Sequence, residues 1–167
     1  MSNRQSTPFV LFLQLLGCLY FLSIPSLSLG GILEASEIKQ QLSNASSLAF
    51  KKSAVEDLQR LYSARQYQSI WLTAEAKLSS IEAALDFIAN ADAEGLDSQD
   101  YQLQQLRHLR QQLPQSASIA AELELRTTHA VLTLARDLSR GRLAATAADS
   151  DWHISQPTFD TVPFLLE

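Results

Sequence analysis

The sequence holds a single cysteine, Cys18, so it offers neither an internal disulfide nor a cysteine-based metal site. That thiol lies in an apolar N-terminal run, and a chain cleaved behind the run would carry none. Glycine and proline are scarce at five each, while alanine, leucine, glutamine and glutamate are plentiful, a balance that favours helix over sheet. No run of five like charges occurs within the net charge of -5, so no nucleic-acid partner is expected. His108, His129 and His153 stand far apart, without the spacing that puts two ligands on one helix face. Neither metal nor other cofactor is expected. With 167 residues there is room for one domain behind an export segment.

What is present begins with that segment. Phe9 to Leu22 are apolar apart from Gln14, preceded by Arg4 and followed by Ser23, Pro25, Ser26 and Ser28. This is the charged, apolar, small-residue order of a signal peptide, with cleavage fitting after Ser28 or Gly30. Residues 1–30 are therefore read as a signal peptide, the alternative being an uncleaved anchor, since the run through Leu29 reaches the length of a membrane span. Leu15-Leu16-Gly17-Cys18 has the form of a lipobox, but the apolar Leu19, Tyr20, Phe21 and Leu22 that follow speak against lipidation. Residues 31–167 are placed outside the cytoplasm, in the periplasm, with membrane contact only through a retained N-terminal segment.

The remainder reads as an irregular all-α bundle of about five to six helices. A first helix is expected from Ile32 to Leu48 and a second behind a capping box at Ser53 and Glu56, with Val55, Leu58, Leu61 and Tyr62 as its stripe. Tyr67, Ile70 and Trp71 leave that stripe and form a short aromatic, partly extended segment, with Trp71 plugging the core. Leu78, Ile81, Leu85 and Ile88 define a helix from Glu75 to Ala91, stopped by Gly95 in the left-handed conformation. Asp97 and Ser98 are candidate N-caps for a helix carrying Tyr101, Leu103, Leu106, Leu109 and Leu113, which Pro114 closes. A long helix follows from Ser116 through Ile119, Leu123, Leu125, Leu132, Leu134 and Leu138 to Gly141. Trp152 reads as a buried anchor, and Asp160 to Glu167 as the opening of a helix whose apolar Phe164, Leu165 and Leu166 lack cover, which suggests truncation or a missing partner.

Four fragments recur in order. They are Leu58-x-x-Leu61-Tyr62-x-x-Arg65-x-Tyr67-x-x-Ile70-Trp71, then Asp92-Ala93-Glu94-Gly95-Leu96-Asp97-x-x-Asp100-Tyr101, then Glu122-x-Glu124-Leu125-x-Thr127, then Ala135-Arg136-Asp137-Leu138-x-Arg140-Gly141-Arg142 with Asp151-Trp152 beyond it. Together, over about residues 50 to 155, they resemble the N-terminal scaffold domain of the large periplasmic murein L,D-transpeptidases. The resemblance implies a helical scaffold that precedes a peptidoglycan-binding module and a catalytic domain. It also implies a cell-wall role, because the complete enzymes join meso-diaminopimelate residues of neighbouring peptide stems into 3-3 cross-links. The residues carried over, all as structural motif positions, are Tyr62, Arg65, Tyr67, Trp71, Gly95, Leu96, Asp97, Tyr101, Arg136, Asp137, Leu138, Gly141, Arg142 and Trp152.

No catalytic residue carries over. The family motif Ser-His-Gly-Cys-x-Arg is absent, and acyl transfer through a thioester requires a thiolate beside a base. The chain is expected to be inactive alone. Ser36-x-x-Lys39 lacks the companion motifs of penicillin-binding enzymes. Asp92, Glu94, Asp97 and Asp100 miss the calcium-loop spacing because Gly95 comes too early, and they are read as capping and turn residues. Glu122 and Glu124, two apart on a helix, point to different faces and make a poor carboxylate pair. Arg65, Arg136, Arg140 and Arg142 are read as pairing with Asp92, Asp97, Asp100 and Asp137 to tie the Tyr62–Trp71 region to the long helix, in preference to binding peptidoglycan.

The expected role is a non-catalytic scaffold that positions a transpeptidase catalytic module during peptidoglycan cross-linking. The alternative is a stand-alone periplasmic interaction module that binds an envelope protein through its uncovered C-terminal face.

Overall fold

The computed structural model describes residues 33–73, 78–140, 160 and 162–166. Among them are five α-helices and no strand: α1 Ala35–Ser43, α2 Lys52–Ala64, α3 Ser79–Ala89, α4 Leu103–Gln111 and α5 Ala117–Arg140. The signal segment, Ile32, Gly141, Arg142 and Trp152 lie outside the described residues, as do the side chains of Arg140 and Phe164.

The 24-residue α5 is the spine, about 36 Å long at 1.5 Å per residue. Leu123 and Leu125 are both fully buried, although two residues subtend about 200° around a helix. They therefore face different neighbours. Leu123 joins Ile81, Leu85 and Ile88 of α3 and Leu103 and Leu106 of α4. Leu125 joins Ile38 and Leu42 of α1 and Leu58 and Tyr62 of α2. Further along, Leu132 packs with Leu61 and with Val162 of the C-terminal segment. Each such leucine contributes about 1.5–3 kcal/mol on burial, so α5 is the element the other four cannot do without.

Helix ends are set by local chemistry. At the close of α2 the Gln66 N–H donates to the Ser63 carbonyl at 3.1 Å and the Tyr67 N–H to the Tyr62 carbonyl at 2.7 Å, the paired bonds of a Schellman motif. Glycine is usual at the left-handed position of this motif, but here Gln66 holds it at φ +55, followed by Tyr67 at +60. After α3 a 3-10 turn, Asn90–Glu94, ends on Gly95 at φ +76. The Leu96 N–H reaches back to the Ala91 carbonyl at 3.1 Å, so Gly95 is the left-handed stop its position indicated.

Other boundaries differ from expectation. The first helix ends at Ser43, and Asn44 leads into a separate 3-10 turn, Ala45–Leu48. The Ser53–Glu56 capping box does not form, because α2 starts at Lys52 with Lys51 as its cap. The Lys51 carbonyl already accepts the Val55 N–H at 3.1 Å, which places Ser53 inside the helix. Glu56 instead faces Lys52 at 3.9 Å. Asp97 does cap, its Oδ1 accepting the Gln99 N–H at 2.8 Å, but it caps a 3-10 turn, Ser98–Tyr101. Gln102, at φ +59, separates that turn from α4, and Ser98 is a buried member of the turn rather than a cap. Leu78 and Leu138, read as stripe members, are 39% and 42% exposed at the edges of their helices. The C-terminal segment is better covered than its sequence indicated: Val162 is 3% exposed and Leu165 packs on the core, leaving Leu166 in solvent.

Candidate functional site

The middle of α5 carries a carboxylate with no exposed surface. Glu124 sits between Leu123 and Leu125 on the helix face turned toward α2 and the irregular chain that follows it. Its Oε1 accepts from the Tyr62 hydroxyl at 2.9 Å and the Ile70 N–H at 2.6 Å. Its Oε2 accepts from the Ser69 hydroxyl at 2.8 Å and the Leu72 N–H at 3.2 Å. The Trp71 N–H is shared between both oxygens at 3.3 Å. Three successive backbone amides and two hydroxyls thus converge on one acceptor, an arrangement akin to an anion-binding nest filled from within the chain.

Thr128, one turn along α5, extends the network. Its hydroxyl oxygen accepts from the Trp71 indole N–H at 2.9 Å and lies 2.7 Å from the Tyr62 hydroxyl. The Ser69 oxygen in turn accepts from the Leu72 N–H at 2.9 Å. Every group that approaches the two Glu124 oxygens from Tyr62 and from residues 69–72 is a donor, so the geometry is that of an ionised carboxylate. Burial pushes the Glu124 carboxyl above the ordinary glutamate range, and the bonds from Ile70, Ser69, Tyr62 and Trp71 act against that rise. Burial and the adjacent Glu124 charge hold the Tyr62 phenol well above the usual tyrosine range.

A serine hydrogen-bonded to a carboxylate has the outward form of a nucleophile with its base. Here Ser69 is 7% exposed, Glu124 is fully buried, and the Ser69 oxygen already accepts a backbone N–H. An oxygen so enclosed and already bonded is poorly placed to attack a carbonyl. The network can instead fix the path of residues 69–72, an irregular stretch whose amides have no helix to satisfy them.

The family model for the Scaffold domain, the scaffold domain of L,D-transpeptidases, matches residues 56–167. The chain belongs to this family. No curated protein and no solved structure matches it.

Within this scaffold domain the motif residues gather in two places. Tyr62, Arg65 and Trp71 surround Glu124: Tyr62 and Trp71 by the bonds above, and Arg65 through its Nη2, 3.5 Å from the Ser69 carbonyl. Arg65 Nε is buried without a hydrogen-bond partner among the described residues. Trp71 was expected to plug the core, but it is only half-buried, with one face on the α3–α4–α5 cluster. Gly95, Leu96 and Asp97 form the turn beside Tyr101, whose buried hydroxyl donates to Asp137 Oδ2 at 2.9 Å. Tyr67 lies apart, with Lys39 Nζ 5.6 Å above its ring. Leu138 joins neither group.

Of the arginines expected to pair with Asp92, Asp97, Asp100 and Asp137, the side chain of Arg140 and all of Arg142 lie outside the described residues. Arg136 pairs with Asp57 of α2 at 2.9 Å, and Asp137 takes a tyrosine hydroxyl. Asp92 accepts the Ser98 N–H at 2.9 Å and Asp97 caps its turn, the capping roles their sequence suggested. An α2–α5 tie through Arg136 does exist, but a partner 79 residues away is chosen by helix packing, which sequence spacing does not reveal. Glu122 and Glu124 do face different ways: Glu122 pairs with Arg126 at 2.7 Å near the surface. Among the described residues no three His, Cys, Asp or Glu side chains are grouped to hold a metal.

Sequence reasoning quoted the residue at the centre within a motif fragment but gave it no role. Glu124, Thr128 and Ser69 carry the network, and none was marked as a site residue. A signal was present: Leu123, Leu125, Leu132 and Leu134 occupy more than one face of α5, and a helix apolar on several faces is enclosed. A carboxylate set among such positions must meet donors.

Proposed function

We propose that this scaffold domain serves peptidoglycan cross-linking in the periplasm as a rigid, non-catalytic support for an L,D-transpeptidase catalytic module. Family membership supports the reading most directly. The Glu124 network supports its physical side. It spends the domain's one fully buried carboxylate among the described residues on immobilising its own chain, as a support requires and a reaction centre does not. The sequence supplies no thiol outside the signal-like segment to carry an acyl group, in keeping with a supporting role for residues 31–167.

The reading is tested by joining the domain through a flexible tether to a catalytic domain of the same family. The expected result is a higher unfolding temperature for the catalytic domain than it has by itself, since a partner that binds only the folded form stabilises it. Unchanged unfolding of the catalytic domain would refute the supporting role.

A further inference from the structure

Between α1 and α2 the surface opens into a shallow, solvent-open groove of about 610 Å³. Lys39 and Ser43 line it from α1, Glu56, Gln59 and Arg60 from α2, and Tyr67 from the segment beyond. Arg60 is engaged, at 2.7 Å from Asp160 and 3.7 Å from Asp57. Lys39 has no carboxylate within ion-pair distance among the described residues, and the Tyr67 hydroxyl has no hydrogen-bond partner there. Among the described residues Glu56 has only Lys52 in ion-pair range, at 3.9 Å on the open surface.

Tyr67 is also held in an unusual backbone state. The left-handed Gln66 belongs to the helix cap, but Tyr67 continues at φ +60, a second left-handed residue that is not glycine. Such conformations persist only where the surrounding structure enforces them, and they gather at ligand-holding positions. Here the result is to set an aromatic ring beneath Lys39 with its hydroxyl unengaged. The groove thus offers a cation from α1, a hydroxyl donor from Tyr67, and a carboxylate and the Gln59 amide from α2.

We propose that this groove binds a short peptide bearing both a free carboxylate and a free amine, with Lys39 and Tyr67 taking the carboxylate and Glu56 the ammonium. Within the cell-wall reading, on which the identity of the ligand rests, that description fits the peptide stem of peptidoglycan.

The test is a titration of the whole chain, followed by backbone NMR, with the free tetrapeptide stem ending in meso-diaminopimelate and D-alanine. Expected are saturable shifts at Lys39, Gln59 and Tyr67. Lys39→Ala and Tyr67→Phe should each weaken binding about tenfold, the scale of one charge-assisted hydrogen bond. Glu56→Gln should weaken binding of the stem but not of the same stem with its amines acetylated. Both Lys39 and Glu56 are exposed and the Tyr67 ring is retained in Tyr67→Phe, so unchanged unfolding midpoints are expected in all three variants. Absence of shifts at millimolar stem, insensitivity to these substitutions, or equal affinity for the stem with its carboxylates amidated would overturn the proposal. None of those results would touch the supporting role, which is read from the catalytic domain's stability.

Discussion

Replacing Glu124 by alanine removes the single acceptor on which Tyr62, Ser69, Ile70, Trp71 and Leu72 converge. Each hydrogen bond to a charged group contributes about 1.5–3 kcal/mol, and relief from burying the charge offsets several kcal/mol of their sum. A buried donor left unpaired costs about 1–3 kcal/mol. Ser69, Ile70 and Trp71 lose their acceptor, while Tyr62 keeps Thr128 and the Leu72 N–H keeps the Ser69 oxygen, so a net loss of about 3–5 kcal/mol is expected. Against a total stability of about 5–15 kcal/mol for a domain, Glu124→Ala should bring the protein close to unfolding. Urea denaturation followed by circular dichroism measures the loss. Amide exchange at Ile70, Trp71 and Leu72 locates it, because those protons should lose protection while the middle of α5 retains its own. Tyr62→Phe, which removes one donor and leaves the ring packed, should cost about 1–1.5 kcal/mol. Added formate should recover part of the Glu124→Ala loss by entering the vacated nest. A loss below about 0.5 kcal/mol with unchanged exchange would mean that the network does not hold the segment, and the reasoning would fail.

Three further outcomes follow from individual residues. Gln66→Gly should stabilise the domain by about 0.5–1 kcal/mol, since a left-handed side-chain residue costs about 1–2 kcal/mol and glycine returns part of this as unfolded-chain entropy; a lower urea midpoint would contradict the assignment of strain. His129, stacked on Phe50 at 4.7 Å, has its pKa lowered by burial and by the Arg136 and Arg126 charges. Its contribution is therefore complete above about pH 6.5 and is lost as pH falls toward the depressed folded value. Between pH 7 and pH 5 the wild type should lose stability relative to His129→Phe, and parallel pH profiles would refute this. Tyr101→Phe should cost about 0.5–1.5 kcal/mol by removing the bond to Asp137, read as a thermal shift that Asp137→Asn should not add to in full.

The helices were legible because burial repeats at helical spacing: Leu58, Leu61 and Tyr62, or Ile81, Leu85 and Ile88, are stripes in sequence and core residues in space. Gly95 was legible because its left-handed turn favours a residue without a side chain. The capping box was misread because Ser-x-x-Glu fits a helix start but does not force one, and here α2 begins one residue before the serine. The Arg136–Asp57 pair was not legible because it depends on how α2 lies against α5. The role of Glu124 was not legible for a deeper reason. Three of its five donors are backbone amides, which every residue possesses, and only the fold decides which of them turn inward.

The central claim, that a rigid helical unit supports transpeptidation without performing it, is tested most directly by the yield of 3-3 cross-linked product. The comparison is between a family catalytic domain alone, the same domain joined to the wild-type scaffold, and the same domain joined to the Glu124→Ala scaffold. The account predicts most product with the wild-type scaffold, a fall toward the level of the bare catalytic domain with Glu124→Ala, and none from the scaffold by itself. Equal yields in all three catalytic samples, or any cross-link formed by the scaffold alone, would contradict it.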